Sequence, residues 1–190
     1  MTLPASVSGD GRLRLFCALR LPGEVLEGLV AWQHRALRDL PRGARLVPET
    51  NLHITLAFLG ARPAPDAGLV LAALREAASG TRPIELEIAL RHYRETRSVG
   101  IVVLRDVGGA ATALAVDLHS RLERLGLYCP EKRPWLPHVT VVRFRERPRV
   151  EPPRPAVGAF SPSDAALYNS VLRSTGAQYE VLETVALGGD

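Results

Sequence analysis

The sequence predicts an α+β fold built on antiparallel sheet, and three observations carry that expectation. Strand-like apolar runs alternate with segments of 3.6-residue apolar periodicity, so strands and helices interleave along the chain. Several neighbouring strand runs are joined by hairpin-length connections, whereas a parallel pair needs a crossover of a dozen or more residues. A short word, His-x-Thr followed by an apolar residue, occurs twice, at His53-Ile54-Thr55-Leu56 and His138-Val139-Thr140-Val141, each inside a strand-like run.

Residues 13–19 read as the first strand. Residues 23–40 read as a helix, with Val25, Leu26, Leu29, Trp32, Ala36, Leu37 and Leu40 on one stripe and His34 off it. The strand bearing His53 spans residues 52–59 and stops at Gly60. A second helix covers residues 66–78, with Asp66 as its N-cap. Strands follow at residues 83–90 and 99–104, and His92 falls in the loop expected between them. A third helix, residues 110–125, buries Leu114, Ala115, Leu118, Leu122 and Leu125 and leaves His119 at the edge of the stripe. The strand bearing His138 covers residues 138–144. A Pro- and Arg-rich connection, residues 147–155, cannot be a central strand, because proline lacks the ladder N–H. The chain closes on a hairpin, residues 165–172 and 178–187, turning at Ser174-Thr175-Gly176.

Composition narrows the function classes. The 190 residues carry a net charge of +4 and 46% hydrophobic residues, ordinary for a globular chain. No run approaches the ~20 apolar residues of a membrane span, and residues 1–10 lack the features of a signal peptide. Cys17, in an apolar strand, reads as a buried thiol and Cys129 as unpaired, so a reducing cytoplasm is expected. Every basic residue except Lys132 is arginine. Base composition of the gene accounts for such a bias, and so does phosphate binding, which suits the guanidinium fork. There is no phosphate-binding loop, dinucleotide fingerprint, CxxC pair or HExxH helix, so no cofactor or metal is implied.

The repeated word carries the chemistry. Five His and nine Thr placed at random give about 0.24 such words, and two or more arise in roughly one chain in forty. Side chains at i and i+2 of a strand share a face, so each copy projects an imidazole with a hydroxyl. Two copies facing one cleft supply two proton carriers and two neutral donors. In-line displacement at phosphorus needs a base and an acid on opposite sides, and imidazole, with an ordinary pKa near 6.5, serves either role near neutrality. Arg143 lies five residues after His138, so a regular strand turns it to the opposite face unless a bulge intervenes. Phe16 and Trp135 are either core residues or platforms for a base.

With these words in view, the chain resembles the two-histidine (2H) phosphoesterases, and most nearly the RNA 2',3'-cyclic phosphodiesterases, also described as 2'-5' RNA ligases. The resemblance rests on residues 14–19 (RLFCAL), 48–60 (PETNLHITLAFLG), 133–143 (RPWLPHVTVVR), and the closing segments 167–172 and 176–182. It implies one bilobal domain over residues 1–190, with two antiparallel sheets and outer helices in a pseudo-two-fold arrangement around a central cleft. It implies hydrolysis of 2',3'-cyclic phosphate RNA ends to 2'-phosphomonoesters without a metal. His53 is then the general acid, His138 the general base, and Thr55 and Thr140 hold the phosphate oxygens. Arg143 is a substrate contact by the same resemblance. The implied partners are RNA ends or nucleotides carrying a cyclic phosphate, with no membrane and no obligate protein, so the chain is expected to be a monomer.

Leu46 stands where many relatives carry Trp, and residues 97–103 lack another common Trp. Base preference is therefore open. Reversible 2'-5' ligation, cleavage of small nucleotides or 2'-5' oligoadenylates, and non-catalytic nucleotide or RNA binding are the alternative readings.

Overall fold

The computed structural model describes residues 11–173 and 176–188. Residues 1–10, 189 and 190, and Ser174 and Thr175, where the sequence places a turn, lie outside the described residues. Among the described residues, eight strands and three α-helices follow the order β1 (Arg12–Leu19), α1 (Gly23–Ala36), β2 (Arg45–Leu46), β3 (Ile54–Pro63), α2 (Asp66–Ser79), β4 (Glu85–Glu95), β5 (Val99–Val107), α3 (Ala110–Arg124), β6 (His138–Arg143), β7 (Asp164–Arg173) and β8 (Gly176–Ala186). All the strand pairings are antiparallel.

The sheet has two halves. One is β4-β5-β6, with β2 beside β6; the other is β3-β1-β7-β8. They meet at a single rung, Ile54 opposite Val139, so the two expected sheets form one continuous eight-stranded sheet. Helices α2 and α3 pack on each other, α2 also against β3, β7 and β8, and α3 against β3 and β5. The main core lies under them. Leu15, Leu19, Ile54, Leu74, Leu86, Leu118 and Val139 are all fully buried in it. Alternation along each strand turns the other side chains to the uncovered face, where the motif residues sit.

Four local readings change. Helix α1 ends at Ala36 rather than residue 40; Leu37 and Leu40 still pack on the core from the turn that follows. The α2 N-cap is Pro65, not Asp66, which is the first helical residue and makes no side-chain cap. Strand β4 runs on to Glu95, so His92 is a strand residue rather than a loop one. Its pairing with β5 jumps from Ile88 opposite Leu104 to Tyr93 opposite Val102, and this bulge exposes Leu90. Helix α3 ends at Arg124, and Leu125, expected on its buried stripe, follows the last turn and is 45% exposed. The start of α3 is capped from a distance. Two left-handed glycines, Gly108 and Gly109 (φ +79° and +76°), let the chain double back. The Asp106 carboxylate then accepts from the backbone N–H of Ala111 and Thr112 at 3.3 and 2.7 Å.

Candidate active site

The two His-x-Thr words flank the rung that joins the half-sheets. Ile54 and Val139 are fully buried and point into the core. One step to either side, on strands running in opposite directions, the register brings His53 beside Thr140 and Thr55 beside His138. All four are half-buried on the uncovered face. The rung is therefore the local two-fold axis of the repeat, and each imidazole has the other word's hydroxyl as cross-strand neighbour. Cβ atoms of such neighbours lie about 4.5–5.5 Å apart.

The two imidazoles are held in the same way. His53 Nδ1 lies 2.9 Å from the carbonyl oxygen of Asn51, and His138 Nδ1 lies 2.8 Å from that of Leu136. A carbonyl only accepts, so each Nδ1 carries its proton and each Nε2 is turned to the cleft. Asn51 is itself anchored, its Nδ2 donating to the Ala177 carbonyl on β8 at 2.8 Å. His53 Nε2 lies 3.0 Å from Thr55 Oγ1. On the other side, the Trp135 indole N–H donates to the Thr55 carbonyl at 2.9 Å.

The surroundings of the two rings differ. His53 sits against an aromatic cluster with centroid distances of 5.0 Å to Phe16, 5.3 Å to Tyr179 and 6.1 Å to Tyr168. Phe16 is 2% exposed and stacks on Tyr168 at 4.8 Å, so it packs beneath His53 rather than offering an open platform. Burial pushes the His53 pKa from the ordinary 6.5 down to about 4. The bond to Asn51 opposes that shift, and the charges of His138 and Arg143 add to it.

Arg143 departs from the regular-strand expectation. On β5, Gly100 pairs with Val142 and the next residue, Ile101, pairs with Thr140, so Val141 is an extra residue. The bulge turns both Val141 and Val142 into the core, where each is fully buried. Arg143 therefore faces the same side as Thr140 and His138. Gln33, 2% exposed on α1, braces this bulge. Its amide Nε2 donates to the carbonyls of Val141 and Val47 at 2.6 and 3.1 Å, and the Val47 N–H donates to Val141 as well. Sequence patterning places Gln33 beside the α1 stripe next to Trp32, but a single glutamine there carries no signal of its partners.

Beside His138 and Thr55 opens a cavity of about 520 Å³, lined among others by Phe58, His119, Tyr128 and Trp135. His119 stacks on Tyr128 at 4.5 Å and its Nε2 lies 2.7 Å from the Leu56 carbonyl, so it forms part of this wall. His34 is exposed on α1, and His92 Nε2 lies 2.9 Å from the Pro152 carbonyl. Burial pushes the Cys17 thiol up to about 12.

Comparison with known proteins finds relatives over nearly the whole chain. The RNA 2',3'-cyclic phosphodiesterase of Escherichia coli is 31% identical over 175 residues, covering 92% of this chain and 96% of that one. The enzyme of the same name from Thermus thermophilus is 31% identical over 185 residues, covering 94% and 92%. The crystal structure of E. coli LigT complexed with 3'-AMP superposes with a TM-score of 0.78 at 26% identity, over 93% of this chain and 98% of that one. A model of the 2'-5' RNA ligase superfamily matches residues 27–170, and the chain belongs to that superfamily.

Proposed function

We propose that this protein is an RNA 2',3'-cyclic phosphodiesterase, opening the cyclic phosphate at an RNA end to a 2'-phosphomonoester and a free 3'-hydroxyl. The observation that carries this reading is the pair of imidazoles flanking one rung, each held through Nδ1 by the carbonyl two residues before it. The names of the relatives support it.

Water attacks phosphorus while His138 Nε2 takes its proton. The P–O3' bond breaks, and His53 Nε2 delivers a proton to the departing oxygen. Thr55 and Thr140 donate to the non-bridging oxygens, and the Arg143 guanidinium offsets their charge. The aromatic cluster serves the acid role. An imidazolium disfavoured by burial gives up its proton readily, and the arriving phosphate anion supplies the charge that lets it form. The cavity beside His138 receives the terminal nucleoside, with Trp135 and Tyr128 as apolar walls.

The test is incubation with nucleoside 2',3'-cyclic phosphates and a cyclic-phosphate-ended oligonucleotide. Wild type should release the 2'-phosphate product, and His53→Ala and His138→Ala should each lose about 10²–10⁴ in rate. Undiminished turnover in either variant refutes the assignment.

A further inference from the structure

Strand β2 is only two residues long, yet it places a second arginine beside the first. Arg45 pairs with Arg143 and Leu46 with Val142. Leu46 and Ala44 pack on the core, so Arg45 projects to the opposite side, the side shared by Arg143, Thr140 and His138. Both arginines are exposed, and neither has a carboxylate within salt-bridge distance among the described residues. Like charges directly opposite on a sheet disfavour the pairing. Here that arrangement is created by a bulge and held by the buried Gln33 amide. An anion lying between the two guanidinium groups reverses the sign of the interaction.

The position indicates which anion. On β5 the partners of Arg143 and Thr140 are Val99 and Ile101, two residues apart, or about 7 Å along the strand. That step leads from the Thr140 hydroxyl, proposed above to hold the reacting phosphate, to the arginine pair. It is the length of one nucleotide of backbone.

We propose that Arg45 and Arg143 form a subsite for a second phosphate of an RNA chain, the phosphodiester neighbouring the cyclic end. This deepens the reading of the site as an RNA cyclic phosphodiesterase and rests on it. Two guanidinium forks set side by side take the two free oxygens of a phosphodiester. The subsite makes the protein select chain ends over mononucleotides.

The experiment compares kcat/KM for a nucleoside 2',3'-cyclic phosphate with that for a tetranucleotide ending in the same group, for wild type and Arg45→Ala. Arg75→Ala, on α2 away from the cleft, controls for the loss of one positive charge. Wild type should favour the tetranucleotide. Arg45→Ala should cut that preference about tenfold, chiefly through KM, and flatten the salt dependence by about one charge. Absence of a preference in wild type, or a preference that survives in Arg45→Ala, overturns the subsite. Binding of a 2'-phosphate-ended tetranucleotide is measured in parallel and does not depend on turnover. If neither cyclic phosphate is hydrolysed, the catalytic reading fails. The subsite then stands on a tenfold weaker, less salt-dependent binding by Arg45→Ala, and falls if binding is unchanged.

Discussion

Burial of His53 against Phe16, Tyr168 and Tyr179 makes a quantitative prediction for the substrate-free protein. The imidazole is held at about 4 against an ordinary 6.5, which corresponds to about 3 kcal/mol favouring the neutral ring. Partial exposure of the ring and relaxation around it make this an upper bound. The sign follows from the depressed folded-state value. As pH falls below 6.5 the unfolded chain takes up the proton first, so stability from neutral His53 is complete above 6.5. It is lost progressively down to 4 and constant below. His53→Gln keeps a polar group but cannot titrate. Urea denaturation of both proteins from pH 4 to 8 should therefore show the variant gaining up to about 3 kcal/mol relative to wild type between neutral and acidic pH. The other four histidines cancel in the comparison. An NMR titration of His53 should give a midpoint near 4, rising when inorganic phosphate is added. A midpoint at or above 6.5 without ligand, together with a pH-independent stability difference, would refute the account of the aromatic cluster.

Three further outcomes are expected. Gln33→Leu removes both donors that brace the bulge and should cost about 1–3 kcal/mol in urea denaturation; because Arg143 is then free to turn away, the His53 midpoint should rise. Gly100→Ala should destabilise strongly, since a Cβ there would lie 2.2 Å from Tyr93 Oη and 2.7 Å from Val142 Cγ1. Tyr93→Phe should recover part of that loss in the double variant, because the buried Tyr93 hydroxyl has no hydrogen-bond partner among the described residues. Hydrolysis of a nucleoside cyclic phosphate should be unaffected by EDTA; activity lost to the chelator and restored by a divalent cation would overturn the proton-transfer mechanism.

Much of the molecule was legible because its signals are local. Apolar periodicity located all three helices and seven of the eight strands, since burial on one face imposes it. The repeated His-x-Thr marked the site because a two-residue spacing on a strand is itself a statement about faces. What escaped depends on long-range pairing. Two residues, Arg45 and Leu46, cannot show a period, so β2 was invisible. Parity alone leaves the face of Arg143 open to a bulge, and the extra residue Val141 that decides it appears only in the register with β5. The apolar stripe of helix α1 runs a turn past its end because Leu37 and Leu40 continue it from a non-helical turn. The partners of Gln33, Asn51 and Asp106 likewise required the fold, because a polar side chain does not announce which backbone group it will meet.

The single rung between β3 and β6 also decides where the spacing of the two imidazoles comes from. His53 and His138 each stand one residue from Ile54 and Val139, which are fully buried in a core that α3 ties to both half-sheets. The separation of proton donor and acceptor is thus inherited from backbone pairing and core packing. Exposed rim residues such as Phe58 and Leu136 can be exchanged without resetting it.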